Sequence, residues 1–124
     1  MTIQESGEMY LEAILMLSQK KDRVRSIDIA EFRGYSKPSV SRAVGLLRDE
    51  GFIEVDGLGS ITLTEEGRSI AERIYERHLV LTKILISLGV PDETAADDAC
   101  RIEHYISETT FDAIKKHLKE HGND

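Results

Sequence analysis

The 124-residue chain has one cysteine, no tryptophan and two prolines. A single cysteine cannot form an intramolecular disulfide, which fits a protein of a reducing cytosol. No apolar run approaches the roughly eighteen residues of a membrane span. The N-terminal residues also lack the basic start and short apolar core of a secretory signal. These absences predict a cytoplasmic protein with no membrane partner, of a size for one domain or two small ones.

The charge distribution differs from the total charge. The net charge is −7, which taken alone argues against a nucleic-acid partner. Between Lys20 and Arg48, however, eight Lys and Arg face three acids, so this segment carries five positive charges and the remainder twelve negative ones. Screening over about 10 Å hides distant acids from phosphates. On charge alone, a DNA-binding surface and a solvated face without a partner both remain open.

Apolar spacing predicts a mainly α fold. Helical periodicity covers residues 5–20, where Tyr10, Ile14 and Leu17 form a stripe. Next come a short helix ending at Gly34, a helix capped by Ser36 with Pro38 in its first turn, and a β-hairpin around "DGLG". Three further helices follow. This order is typical of an N-terminal winged helix-turn-helix joined to an all-helical domain. The hairpin end near Leu63 predicts domains of residues 1–63 and 64–124.

The second helix of the helix-turn-helix is predicted to enter the major groove of double-stranded DNA. Its N-terminal positions carry short hydroxyls and one arginine, which suit phosphate and base-edge contacts. A winged helix that serves as a protein-interaction fold is the alternative. The predicted DNA-contacting residues are Arg25, Ser36, Lys37, Pro38, Ser39, Ser41 and Arg42.

The stretch "CRIEHYI" holds the only cysteine together with two other residue types that bind metals. In a helix, Cys100, Glu103 and His104 share a face because residues three and four apart are neighbours. On the first helix, Met9 and Glu12 are also three apart. The spacing is compatible with a metal site whose ligands come from separate helices.

Each of these residues also has an ordinary structural interpretation. Cys100 is compatible with a buried thiol, since cysteine mostly acts as a small hydrophobe. His78 falls on an apolar stripe and is compatible with a hydrogen-bonded core histidine, and the glutamates and His104 with solvated side chains. A nucleophilic cysteine needs an oriented base and an oxyanion pocket, for which the sequence offers nothing. We therefore expect no enzymatic activity.

Taken together, these stretches resemble the DtxR/MntR family of metal-dependent transcriptional repressors. The resemblance is carried by "EMYLEAI", "DIAE…SKPSVSRAV", "G…LTEEG", "ERH" and "IEH", and spans nearly the whole chain. It implies a winged-helix domain that binds palindromic operator DNA, helices that form a homodimer, and a divalent metal that acts as co-repressor. It also implies the two-domain length of the manganese branch.

The resemblance implies six metal ligands, which are Met9, Glu12, His78, Cys100, Glu103 and His104. Met9 and Cys100 match the iron-type branch, whereas the manganese branch has acids there. Glu12 and His78 match the manganese branch. Thr82 stands where the iron-type branch has the acid of a second metal site, so a complete second site of the iron type is not expected, while one or two metals per subunit both remain open. Thioether and thiolate are softer ligands than carboxylate and favour Fe(II), with Mn(II) second. Zn(II), Co(II) and Ni(II) are expected to substitute in vitro.

A rival hypothesis belongs to another functional class. A winged-helix protein can also sense an organic ligand, or act as a metal-independent interaction module. Metal-independent DNA binding favours the first of these, and no DNA binding under any metal favours the second.

Overall fold

A computed structural model describes residues 5–121. Within that range the chain is mainly helical, with one small antiparallel sheet. The elements in chain order are α1 (Glu5–Ser18), α2 (Ser26–Arg33), α3 (Lys37–Asp49), β1 (Ile53–Val55), β2 (Ile61–Leu63), α4 (Glu65–Ser87), α5 (Asp92–Ile102) and α6 (Glu108–His121). The predicted fold class is confirmed.

The chain divides into two structural units inside α4, between Glu72 and Arg73. The first unit is a winged helix-turn-helix in which α1 packs on α2, α3 and β2. Residues 11–15 of α1 are all buried, so this helix has no single apolar stripe. The predicted stripe is wrong in this respect, because Tyr10 is only half-buried whereas Glu12 is fully covered.

Local capping sets the geometry of the helix-turn-helix. Gly34 adopts a left-handed conformation (φ 72°), as the residue after a helix commonly does. Ser36 then caps α3, because its Oγ accepts a hydrogen bond from the Ser39 amide at 3.3 Å. At the start of α2, Ser26 is the first helical residue, and the Arg25 amide before it donates to Asp28 Oδ2 at 2.9 Å.

The wing is held against the start of α4. In the hairpin, Ile53 pairs with Leu63 and Val55 with Ile61. The Thr64 hydroxyl donates to the Gly51 carbonyl at 2.8 Å and accepts from the Gly67 amide at 3.1 Å. A Cβ at Gly67 would lie 1.9 Å from the Phe52 carbonyl oxygen. The "LTEEG" motif therefore attaches the wing to the start of α4. Gly67, the third residue of α4, has no room for a side chain.

The second unit comprises most of α4 together with α5 and α6. α5 is shorter than predicted because it ends at Ile102, and Ser107 begins the next helix by accepting a hydrogen bond from the Thr110 amide at 3.1 Å. Ile102, the last residue of α5, is 38% exposed. No helix within residues 5–121 is long and apolar enough to cross a membrane.

Candidate metal centre and nucleic-acid interface

Glu103 is the most unusual residue of the second unit. It is 0% exposed, and neither carboxylate oxygen has a hydrogen-bond partner among the described residues. Two imidazoles lie nearby, with His78 Nδ1 at 3.6 Å and His104 Nε2 at 3.9 Å from Glu103 Oε1. A buried carboxylate without hydrogen bonds is costly unless a cation compensates its charge. This cluster therefore has the donor atoms and the negative charge that a divalent metal requires.

The cluster is formed by a turn rather than by one helix face, which corrects the prediction. Cys100 lies in the last helical turn of α5, half-buried, whereas Glu103 and His104 follow the helix end. Arg77 of α4 accounts for this end, since Nη1 donates to the carbonyls of Glu103 (3.2 Å) and Ile106 (2.8 Å). These carbonyls bond to a side chain instead of continuing the helical ladder.

Burial decides against one of the ordinary interpretations. The side chains of Glu103 and His104 are both 0% exposed, and that of Glu12 is 2% exposed. The alternative in which these three side chains are solvated is therefore excluded. The side chain of His78 is 20% exposed and faces Glu103, so it is not a simple core histidine.

The first unit contributes the two predicted ligands of α1. Met9 is half-buried, and Glu12 lies one turn further along the same helix. Glu12 Oε1 is 3.4 Å from Nη2 of Arg33, at the end of α2. Tyr10, between the two ligands, stacks on Tyr35 with ring centroids 5.3 Å apart. Burial and the neighbouring Tyr35 raise the pKa of the Tyr10 hydroxyl above its usual value.

The N-terminal end of α3 forms an exposed polar surface. All seven residues that the sequence predicts for DNA contacts are exposed. The Ser36 hydroxyl also holds the Ser39 hydroxyl at 2.7 Å, so it has a capping role besides any contact with DNA. A helix N-terminus presenting hydroxyls and Lys37 is suited to phosphate oxygens.

The wing itself carries no Lys or Arg between residues 53 and 63. Its positive charge comes from the preceding segment, because the Ile61 amide donates to the Val24 carbonyl at 2.7 Å. Arg23 and Arg25 flank the buried Val24 and are both exposed. Their charges, after the Ser60 and Leu58 amides, help to lower the pKa of Asp56 in the wing turn. Arg23 was not among the predicted DNA contacts, since only this long-range pairing brings it to the wing.

An exposed, basic helix-turn-helix and a buried carboxylate–imidazole cluster together define a class: metal-responsive winged-helix DNA-binding proteins. Comparisons with known proteins agree with this. The family described as "Iron dependent repressor, N-terminal DNA binding domain" matches residues 2–59, and "Iron dependent repressor, metal binding and dimerisation domain" matches residues 64–124. The chain belongs to this DtxR/MntR family of metal-dependent DNA-binding transcriptional repressors.

Relatives with the name MntR match most of this chain. The transcriptional regulator MntR of Escherichia coli O6:H1 is 35% identical over 91% of this chain and 73% of its own length. The HTH-type transcriptional regulator MntR of Bacillus subtilis is 33% identical over 88% of this chain and 77% of its own length.

Two solved structures share the fold at 28% identity. A manganese-dependent transcriptional repressor in complex with manganese has a TM-score of 0.84 and is matched over 91% of this chain and 52% of its own. The manganese regulator SloR has a TM-score of 0.82, with 96% of this chain and 55% of its own covered. The chain thus spans about half the length of these two proteins.

Proposed function

We propose that this protein is a cytoplasmic, non-enzymatic repressor for which Fe(II) is the preferred co-repressor and Mn(II) the second choice. The observation that carries the proposal is the buried carboxylate of Glu103, which has two imidazoles within 4 Å and no hydrogen bond among the described residues. The manganese-branch relatives support Mn(II), whereas the soft donors of Met9 and Cys100 favour Fe(II).

The proposed ligands divide between the two units. Glu103 and His104 would hold the metal from the turn after α5, together with His78 of α4 and Cys100 of α5. Met9 and Glu12 would complete the set from α1. When bound, the metal would supply the positive charge that these donors lack and would tie α1 to the second unit. Because Cys100 must bind as a thiolate and the histidines as neutral rings, metal affinity should fall at low pH.

The proposed target is a palindromic operator bound by a homodimer. Two copies of α3 would read half-sites about one helical turn apart in the major groove. Exposed large apolar residues of the second unit support a self-association surface, since a contiguous apolar patch commonly marks a protein interface. They include Leu79, Ile86 and Leu88, which are 52%, 40% and 73% exposed.

Metal would then favour operator binding by fixing α1, and with it the helix-turn-helix, in a DNA-competent arrangement. The coupling is reciprocal, so operator DNA should tighten metal binding by the same factor.

One substitution tests the proposal. His104→Ala removes a buried donor and should abolish metal-dependent operator binding in a mobility-shift assay, while size-exclusion chromatography still shows a folded dimer. The exposed His117→Ala serves as the matched control and should behave like the wild type. Undiminished metal response in His104→Ala would contradict the proposed centre.

A further inference from the structure

The ion pair between Arg33 and Glu12 joins a proposed metal ligand to the helix-turn-helix. Nη2 of Arg33 lies 3.4 Å from Glu12 Oε1, and the side chains are 17% and 2% exposed. Arg33 is the last residue of α2, directly before the left-handed Gly34 that turns the chain toward α3. A carboxylate on α1 is therefore held by a cation at the hinge of the DNA-reading motif.

The guanidinium is only partly satisfied in this position. Arg33 Nε is buried and has no hydrogen-bond partner among the described residues, and the 3.4 Å contact to Glu12 is long for a charge-assisted hydrogen bond. The guanidinium carbon also lies 5.1 Å from the centroid of the adjacent Phe32 ring. Glu12 is the carboxylate paired with Arg33, so the position of Arg33 should respond to a second cation on that carboxylate.

A second contact links α1 to the same turn. Tyr10, two residues before Glu12, packs its ring against Tyr35 on the other side of Gly34. The amides of Gly34 and Tyr35 both donate to the Ala30 carbonyl, at 2.8 and 3.0 Å, so this turn is hydrogen-bonded to the end of α2. Arg33 and Tyr35 thus anchor both sides of the turn to neighbouring residues of α1.

We propose that Arg33 is a resident counter-ion of Glu12, which stabilises this carboxylate in the metal-free protein and opposes the bound metal. The inference rests on the proposed function, because Glu12 must be a metal ligand. A monovalent guanidinium and a divalent metal repel one another over a few ångströms of partly buried protein. Arg33 therefore lowers metal affinity. A metal bound at Glu12 would also shift Arg33, and through Arg33 the turn before α3.

The test removes the charge while keeping the bulk. Arg33→Met should tighten Mn(II) binding about tenfold in a competition titration with a fluorescent chelator. Arg33→Gln, which keeps hydrogen-bond donors without the charge, should tighten it similarly, whereas Arg33→Lys should retain the wild-type affinity. The control Arg48→Met removes an exposed arginine of the same unit and should leave the dissociation constant unchanged.

Thermal denaturation provides a second readout. Without metal, Arg33→Met should melt below the wild type, because the buried Glu12 carboxylate loses this ion pair. A merely structural role predicts the same deficit with and without metal, whereas the proposed role predicts that saturating Mn(II) reduces it, since stabilisation by a ligand grows with the logarithm of its affinity.

The outcomes separate the two proposals. If the wild type binds Mn(II) and His104→Ala does not, but both neutral Arg33 variants bind with unchanged or weaker affinity, the role of Arg33 is overturned and the metal centre stands. If the wild type binds no metal, or His104→Ala binds it equally well, the centre fails and the inference with it.

Discussion

Arg77 donates a hydrogen bond to the main-chain carbonyl of Glu103 at 3.2 Å, and so fixes the residue whose carboxylate is the centre of the proposed metal site. The same guanidinium binds the Ile106 carbonyl and, at 3.0 Å, Glu108 Oε2 at the start of α6. The side chain of Arg77 is 9% exposed, so its bonds to the two carbonyls are shielded from water, whereas Glu108 is 67% exposed. Arg77 is therefore a positioning residue that holds the ligand turn between two helices.

Replacing Arg77 should weaken metal binding through this turn. Arg77→Met leaves two carbonyls unsatisfied and should cost about 2–4 kcal/mol of unfolding free energy, measured by urea denaturation. The Mn(II) dissociation constant should rise roughly tenfold, as is usual when the partner of a metal ligand is lost. Arg77→Lys should restore part of the affinity, since an ammonium can serve one carbonyl. The exposed Arg73→Met is the control. Lost stability with unchanged affinity would limit Arg77 to a structural role.

Gly67 should tolerate no side chain. An alanine Cβ would meet the Phe52 carbonyl oxygen at 1.9 Å, which forces the wing away from α4. Gly67→Ala should lower the free energy of unfolding by roughly 2–3 kcal/mol. Gly45→Ala is the matched control, because nothing lies within 4 Å of its Cβ and alanine favours helix, so it should stabilise by about 0.5–1 kcal/mol. Equal effects of the two substitutions would argue against this close packing.

Arg23 should contribute to DNA affinity although it lies outside the helix-turn-helix. If Arg23 contacts a phosphate beside the wing, Arg23→Ala should weaken binding to operator and to nonspecific DNA by similar factors. It should also reduce the slope of log K against log salt by about 1. Fluorescence anisotropy at several salt concentrations measures both effects. The control Arg48→Ala also removes an exposed arginine but lies at the far end of α3. An unchanged salt slope would remove Arg23 from the interface.

Asp28 should make the stability of the first unit depend on pH. The hydrogen bond from Lys21, at 2.6 Å, lowers the pKa of Asp28 below its usual 3.8, and the Arg25 amide acts in the same direction. Because the pKa of Asp28 is lower in the folded than in the unfolded protein, the ionised side chain stabilises the fold at pH values above the ordinary pKa of 3.8. This contribution is lost as the pH falls through the lowered pKa of the folded state. Asp28→Asn should cost about 1 kcal/mol at pH 7, and the difference should shrink as the pH falls below about 3.8. A pH-independent difference in thermal melts would contradict this assignment.

The sequence predicted the helices and the wing because their signals are local. Periodicity, the cap at Ser36 and the helix end at Gly34 each act within a few residues, and the structure has the cap and the helix end as predicted. The end of α5 could not be predicted, since it depends on Arg77, 26 residues before Glu103.

In the candidate site, too, local features could be predicted from the sequence and long-range contacts could not. Helical spacing placed Met9 and Glu12 together on α1, but the ion pair of Glu12 with Arg33 crosses 21 residues and has no local signature. Arg23 was likewise overlooked because only the Val24–Ile61 hydrogen bond brings it to the wing. The ligand roles themselves remain predictions, which rest on family membership and on the buried charge of Glu103.

The most direct test of the account is a metal titration of the anaerobic, metal-free protein read by operator binding. We predict that Fe(II) and Mn(II) both induce tight, specific operator binding by the wild type, and that Fe(II) does so at the lower free concentration. Neither metal should induce operator binding by His104→Ala. Replacing the soft donors, as in Cys100→Glu with Met9→Asp, should shift the preference toward Mn(II). Operator binding of equal strength in excess chelator, with no response to either metal, would contradict the central claim.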